Sequence, residues 1–254
     1  MATIKRLLLF VFTLYLLPLA FSYGLYYFGD NNSRSWWELR RDSSQQAPPA
    51  AQYNGAIIQV YAARAARWRG AFGVHSWIAV KPTGQQWYTR IEVIGYQLRW
   101  RGESVSIKRG SADGYWFGSK PVLLREMRGG AEVDATITRL LAAAKHYPAN
   151  QIYSVWPGPN SNTFIASMGR HAPELQLELP ATAIGKDYLP NLQLIAPAPS
   201  GTGVQFSLKG LLGLLVAREE GIELNLLGFT AGIDFSPPAI KLPGVGRLGM
   251  HEYP

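Results

Sequence analysis

The sequence contains no cysteine among its 254 residues. This excludes disulfide bridges, cysteine–zinc sites and thiolate nucleophiles, and it is compatible with an oxidising compartment that the domain does not exploit. Histidine is scarce as well, and the four histidines show no spacing of the kind that zinc ligands adopt. They are His75, His146, His171 and His251. We therefore expect no metal site and no other cofactor.

Charged residues are few, at 17% of the chain, and basic residues outnumber acidic ones, so that the formal net charge is +8. Much of the positive charge lies between Arg64 and Arg109, where tryptophans are interleaved with basic residues. Two interpretations stay open. The segment forms a face for anionic lipid or an anionic envelope polymer, or it is an ordinary solvated surface whose arginine stems cover apolar area. No nucleic-acid recognition motif is present, and we expect no nucleic-acid partner.

Long apolar runs are also lacking, with one exception at the N-terminus. Residues 7–28 carry no charge and follow directly on Lys5 and Arg6. About 20 apolar residues span a bilayer as a helix, and basic residues in front of them hold the N-terminus in the cytoplasm. We predict a single-pass membrane anchor over residues 1–28. The alternative is a signal peptide that is cleaved at Ala20-Phe21-Ser22. Either interpretation sends the rest of the chain across the membrane.

The remaining residues divide into a linker and one domain. Residues 29–50 are polar and end in two prolines, which is typical of a tether. Residues 51–254 are long enough to bury a core and show no internal repeat, so we predict a single envelope-facing globular domain.

Sequence periodicity predicts an α+β fold, in which an N-terminal transmembrane helix is followed by an antiparallel sheet packed with helices. We predict strands at 56–61, 74–80 and 86–96, and the turn at 81–84 predicts that the last two form an antiparallel hairpin. Helical periodicity with capping residues predicts two helices, at 131–147 and 161–170. The segments 208–217 and 222–227 form either a strand pair or a short helix and a strand.

Two segments carry residue types that are suited to chemistry. His75 lies on the second predicted strand, where a period of two places it on the same face as Trp77 and opposite Ser76. Residues 156–164 form a proline-stiffened loop that delivers Ser161 to the start of the second helix. Free backbone N–H groups and the helix dipole converge there, which is typical of a nucleophile or anion site. The alternative is that residues 160–162 only cap the helix and His75 is a core histidine with its hydrogen bonds satisfied.

The order of these residues resembles the circularly permuted papain-like group, which includes the NlpC/P60-related amidases and the lecithin:retinol acyltransferases. The resemblance covers about residues 56–170, with Ser161 where that group has a cysteine. It implies a permuted papain-like core with an acyl-transfer site that hydrolyses an amide or ester. Ser161 is then the nucleophile, His75 its general base, and Glu92, or second to it Tyr88, orients the imidazole. Backbone N–H groups at the helix start hold the oxyanion.

The chain as a whole resembles a family of uncharacterised bacterial membrane-anchored proteins that is known as a domain of unknown function. This resemblance rests on the segments 75–82, 156–164, 179–188, 200–203, 220–228 and 241–244. It implies a position in the bacterial inner membrane with the C-terminal domain in the periplasm, and it brings no established activity.

Three functions therefore stay open. The first is a Ser/His hydrolase or acyltransferase. The second is an inactive papain-like relative that binds an envelope ligand, either a cell-wall peptide or a lipid. The third is a structural protein that binds anionic lipid through its basic face. The residues that we expect to line a binding site are Asn160, Asn162, Thr163, Trp77, Trp156, Tyr88 and Tyr188.

Overall fold

The computed structural model describes residues 2–29 and 37–250 of the chain. It begins with a long helix that consists of α1 (Ala2–Val11), a π-helical turn (Phe12–Leu16) and α2 (Leu17–Phe28). Within the described residues, the stretch Thr3–Phe28 is the one helix long and apolar enough to cross a membrane. The predicted N-terminal apolar helix is therefore present.

A five-stranded antiparallel sheet follows. Its strands are β1 (Ala56–Arg64), β2 (Val74–Lys81), β3 (Thr89–Val93), β4 (Val105–Arg109) and β5 (Val122–Gly129). Their order in the sheet is β4-β3-β2-β1-β5. The first three strands confirm the predicted ones, although β3 is shorter than predicted. A short helix α3 (Leu98–Arg101) lies between β3 and β4.

Two helices cover one face of this sheet. They are α4 (Ala131–Lys145) and α5 (Ser161–His171), which confirm the two helices predicted in these regions. The apolar stripe of α4 and the buried side of α5 pack against alternate residues of the central strands, such as Ile58 on β1 and Ile78 on β2. The opposite face carries a smaller cluster around Tyr61 and Trp77, which is covered by loops instead of helices.

A second sheet follows α5. Its seven strands are β6 (Ile195–Pro197), β7 (Gly203–Leu208), β8 (Leu212–Ala217), β9 (Gly221–Leu226), β10 (Phe229–Phe235), β11 (Pro238–Leu242) and β12 (Gly246–Gly249). Each strand pairs with the next along the chain in a meander. Of the two alternatives for the segments 208–217 and 222–227, the structure has the strand pair, formed by β8 and β9. The α+β class and the antiparallel pairing are confirmed, whereas a permuted papain-like core stays a prediction.

Part of the predicted tether, residues 29–50, packs against the domain. The segment 43–47 lies on Asp113, whose carboxylate accepts hydrogen bonds from Ser43 Oγ at 2.7 Å and from the backbone N–H of Gln46 at 2.6 Å. Burial alone would raise the pKa of Asp113. The hydrogen bonds from Ser43, Gln46 and the backbone N–H of Ala47 outweigh the effect of burial and hold the pKa below its ordinary value. Residues 30–36 of the tether lie outside the described residues.

The substitution Asp113→Ala is expected to release the segment 43–47 and to lower the free energy of unfolding by about 3 kcal/mol, because several partly buried donors lose a charged acceptor. Because the folded-state pKa of Asp113 is lowered, its contribution is present above the ordinary carboxyl pKa and is lost as the pH falls through the lowered value. Urea unfolding and limited proteolysis of the detergent-solubilised chain measure both effects.

The matched control is Asp42→Ala in the same segment. Asp42 pairs with Arg40 at 2.6 Å on the protein surface, and we expect its loss to leave the free energy of unfolding nearly unchanged, because solvent screens an exposed ion pair. Equal proteolysis of the two variants would contradict the role assigned to Asp113.

Candidate functional site

The start of α5 is fixed by a complete set of capping hydrogen bonds. The side chain of Asn160 accepts from the backbone N–H groups of Asn162 at 2.9 Å and Thr163 at 3.2 Å, and Thr163 Oγ1 accepts from the backbone N–H of Asn160 at 3.0 Å. This reciprocal arrangement satisfies N–H groups that a helix start otherwise leaves free. The capping role considered for Asn160 is therefore present.

The same residues tie α5 to its neighbours. Asn162 Oδ1 accepts from Ser76 Oγ on β2 at 2.8 Å, and Asn162 Nδ2 donates to the carbonyl oxygens of Val74 at 3.0 Å and Ile184 at 2.9 Å. Thr163 Oγ1 donates to a backbone carbonyl in the loop after α5. Asn160, Asn162 and Thr163, which we expected to line a binding site, thus use their polar groups within the protein.

Ser161 is the first residue of α5, and its side chain lies inside the protein. It is 4% exposed. Its hydroxyl makes no hydrogen bond to any residue that the structure describes. Ser161 therefore lies at the helix start, where we predicted a nucleophile, and no described base lies within hydrogen-bond distance of its hydroxyl.

His75 lies in a different environment from Ser161. Successive residues of β2 point to opposite faces of the sheet. The hydrogen bond from Ser76 to Asn162 shows that Ser76 points to α5. The ring of His75 accordingly lies on the face away from α5. There it stacks on Trp116 with a centroid distance of 3.7 Å, and its Nε2 lies 2.9 Å from Glu92 Oε2. The structure brings His75 and Glu92 together as expected, but it does not bring His75 to Ser161. The Ser161–His75 dyad stays a prediction that this geometry does not favour.

Arg90 completes the row of polar residues on this face. Its Nη2 donates to Glu92 Oε2 at 2.8 Å, and its guanidinium lies 3.9 Å from the ring centroid of Trp77. His75, Glu92 and Arg90 are all buried. We call these three residues the polar centre.

The charges of the polar centre follow from its contacts. Burial lowers the pKa of His75 below its ordinary value, and the hydrogen bond to Glu92 opposes this only in part. Burial would raise the pKa of Glu92, but His75 and Arg90 lower it to about 2. Glu92 is therefore ionised at neutral pH and His75 is neutral. Since a carboxylate only accepts hydrogen bonds, His75 carries its proton on Nε2 and its Nδ1 is an acceptor. Nδ1 has no hydrogen-bond partner among the described residues.

Several buried polar atoms on the same sheet face have no hydrogen-bond partner among the described residues. They are Tyr61 Oη, Gln59 Oε1, Arg90 Nε and Ser106 Oγ.

Sequence reasoning missed Arg90 and Trp116 as site residues. For Arg90 a signal was present, because period-two alternation on β3 places it on the face of Glu92. Trp116 comes from a distant loop, and no local pattern indicates its position.

The aromatic residues predicted to bind a ligand do not meet in one pocket. Trp77 lies beside His75 and donates Nε1–H to Ala112 O at 2.7 Å. Tyr88 donates its hydroxyl to Pro48 O at 2.9 Å beside an open cleft of about 430 Å³. Trp156 instead bonds Leu227 O at 2.7 Å, and Tyr188 lies against Gly158 in the loop before α5.

The basic residues between 64 and 109 do not share one surface. Arg64 is partly buried and donates to Gly244 O at 2.7 Å, Lys81 is buried against Gly55 O, and Arg90 belongs to the polar centre. Within the described residues, no group of three or more His, Asp or Glu side chains is arranged to hold a metal ion.

These features define a two-sheet α+β domain that is packed against an apolar N-terminal helix and has a buried His–Glu–Arg centre on the loop-covered face of its first sheet. Residues 55–188 match the model of a family described as "Protein of unknown function (DUF3750)". Because the match covers more than half of the chain, the chain belongs to this family. The comparisons with curated proteins and with solved structures found no match. The matched residues include the first sheet, α4 and α5, and they end before the second sheet.

The substitution Asn162→Ala is expected to lower the free energy of unfolding by about 3 kcal/mol, because it leaves the buried Ser76 hydroxyl and the Val74 carbonyl oxygen without a partner, whereas Ile184 O keeps its hydrogen bond from Asn160 Nδ2. Ser161→Ala, one residue away in the same helix turn, is expected to change it by less than about 0.5 kcal/mol, because the Ser161 hydroxyl makes no hydrogen bond. Urea unfolding of the two variants in one detergent provides the comparison. A large loss for Ser161→Ala would mean that its hydroxyl has a partner in solution.

Proposed function

We propose that the chain is a membrane-anchored envelope protein that binds a cell-wall peptide at the polar centre, without serine chemistry. The observation that carries this proposal is the position of His75. It is held by Glu92 and Trp116 on the face away from α5, with Nδ1 left as an acceptor. The domain lies in the periplasm, with the anchor in the bacterial inner membrane.

Contacts between the N-terminal helix and the domain support an anchor that is retained. Ser22 Oγ donates to Ala71 O at 2.5 Å and to Gly244 O at 3.0 Å, and the ring of Tyr23 stacks on Phe72. Cleavage after Ser22 would remove a buried residue that joins two parts of the folded domain. The intact mass of the protein isolated from membranes tests this point, and we expect it to include the whole helix.

A peptide supplies the groups that the polar centre needs. A peptide N–H donates to an acceptor such as His75 Nδ1. Arg90 Nε and the Tyr61 hydroxyl are fully buried donors, and a peptide carbonyl accepts from them once the covering loop that carries Trp116 moves aside. Buried polar atoms without a partner cost about 1–3 kcal/mol each, so a ligand that satisfies them gains affinity. The aromatic rings around the centre provide apolar contact area.

Hydrolysis by Ser161 needs a base within hydrogen-bond distance of its hydroxyl, and His75 points to the other side of the sheet. A fluorophosphonate probe distinguishes the two functions. We expect no covalent mass increase on the full chain in detergent micelles, and none on the Ser161→Ala control. Labelling of Ser161 that disappears in His75→Gln would overturn the binding proposal in favour of a hydrolase.

Binding is measured directly on ¹⁵N-histidine-labelled full chain. A soluble cell-wall stem peptide is expected to shift the His75 signal in the wild type but not in Arg90→Gln. The exposed His146 and His171 serve as internal references. A His75 signal that responds to phospholipid and not to the peptide would make a lipid the ligand.

The His75 signal also reports the electrostatics of the centre. We expect its pKa to lie below 6.5 and to fall further in Glu92→Gln, because the carboxylate that stabilises the imidazolium is removed. Glu103→Gln, which changes an exposed acid, is expected to leave it unchanged. Below about pH 6.5, His75 binds a proton more readily in the unfolded chain than in the folded protein. The contribution of His75 to stability is therefore full above about pH 6.5 and falls as the pH decreases below it. A pKa above 6.5 would contradict the burial assigned to His75.

A further inference from the structure

The second sheet has the reverse of the usual distribution of side chains. Its outward face carries apolar side chains that are 40% exposed or more. They include Phe206 and Leu208 on β7, Leu214 and Val216 on β8, Ile233 on β10 and Ile240 on β11. From the pairing register, no outward position of the seven strands carries a charged or hydrogen-bonding side chain.

The inward face of the same sheet is polar. It carries Gln205, Ser207, Glu223, Asn225, Asp234 and Lys241, each less than 5% exposed. A sheet with one face in water places its polar residues on that face. Here the polar residues face the rest of the domain, and most of the apolar outward face is not covered by any other described part of the domain.

The charges on the inward face are neutralised inside the protein. Lys241 Nζ lies 3.1 Å from Glu223 Oε1 and 2.5 Å from Glu178 Oε1. Arg247 pairs with Asp234 at 2.8 Å, and Lys186 pairs with Glu223. Charged side chains that adjoin a nonpolar phase are stable when they face the protein interior and pair with each other.

The N-terminal helix contacts this sheet part of the way along its own length. The Tyr15 hydroxyl donates to Leu224 O on β9 at 2.9 Å, and the π-helical turn packs against β10. Tyr15 lies thirteen residues before the helix end at Phe28, which is about 20 Å along the axis. The hydrocarbon core of a bilayer is about 30 Å thick. A helix that crosses a bilayer therefore brings the outward face of the sheet against hydrocarbon.

We propose that the outward face of the second sheet is seated in the hydrocarbon region of the bilayer, beside the N-terminal helix. This inference rests on the retention of that helix, which is part of the proposed function. The occupant is the acyl-chain phase of the lipid, because the face offers no hydrogen bond and no charge to a protein partner. Exposed apolar patches of this extent on soluble domains are uncommon and mark protein or membrane contacts.

Residues near the C-terminal end of the helix suit the boundary between lipid and water. Tyr23 stacks on Phe72, and Trp68 contacts Phe72 edge-on. Arg67 and Arg69 flank Trp68, and all three are exposed. Tryptophan and tyrosine favour the interface, and arginine favours anionic headgroups. This segment places the surface of the bilayer close to Tyr23.

The strands of the second sheet are too short to cross the bilayer. They contain three to seven residues, whereas a spanning strand needs about 9–11. The sheet therefore enters one side of the bilayer. Its two edge strands, β6 and β12, have three and four residues, which limits the number of unpaired backbone groups.

The absence of cysteine allows a direct test with single-cysteine variants of the full chain in nanodiscs of phosphatidylglycerol and phosphatidylcholine. Leu214→Cys and Ile240→Cys probe the outward face. Ala135→Cys is the control, since Ala135 is exposed on α4, near the Thr83 turn that bonds the neighbouring Asp134. A charged maleimide is expected to label both outward cysteines at least about tenfold more slowly than the control, because a nonpolar phase suppresses the thiolate.

Nitroxide labels at the same positions identify what covers the face. We expect collisions with oxygen to exceed collisions with a charged nickel complex at Leu214→Cys and Ile240→Cys, and the reverse at Ala135→Cys. Fast maleimide labelling with high nickel accessibility would overturn the proposal, because the face would be in water. Low accessibility to both oxygen and nickel would also overturn it, since a second protein surface would then cover the face. The intact mass of the same sample shows separately whether the helix is retained.

Discussion

The hydrogen bond between Ser76 and Asn162 sets the arrangement of both segments that carry candidate chemistry. It commits Ser76 to the face that α5 covers. Because side chains alternate along β2, it also commits His75 to the other face. The family match spans both segments, and in this fold they serve different purposes. The start of α5 joins β2 to the loops around it, and His75 belongs to a separate ion-paired centre.

The two sheets bury polar groups for different reasons. On the first sheet, Glu92 accepts hydrogen bonds from both Arg90 and His75. Neighbouring polar atoms have no partner among the described residues, so the region is able to form further hydrogen bonds. On the second sheet, Lys241 and Glu223 neutralise each other within the domain. A closed ion-pair network contributes mainly geometry, since desolvation offsets much of its Coulomb energy. Under the proposed function, ligand recognition belongs to the first sheet.

Local sequence predicted the first three strands, which are buried on both faces and bounded by turn residues, and both large helices, which have apolar periodicity and clear capping residues. The contact between His75 and Glu92 was an expectation implied by the resemblance to the permuted papain-like group. Local sequence could not place Trp116 on His75, since that contact joins residues far apart in sequence. It also could not reveal the reversed second sheet. Strands such as β7 and β9 alternate between polar and apolar residues, and alternation alone does not tell which face meets the solvent. The order of sequence motifs suggested a Ser161–His75 pair, but motif order carries no information about the face of a strand.

The hydrogen bonds of Ser22 with Ala71 and Gly244 have a consequence for where the domain can meet a ligand. Under the proposed membrane position, a domain joined to its anchor by buried hydrogen bonds has a fixed height and a fixed orientation relative to the bilayer. It cannot search a volume of the periplasm as a module on a flexible linker does. Whatever reaches His75 must itself come to that fixed height above the membrane, so the domain meets only those cell-wall peptides that pass close to the membrane surface.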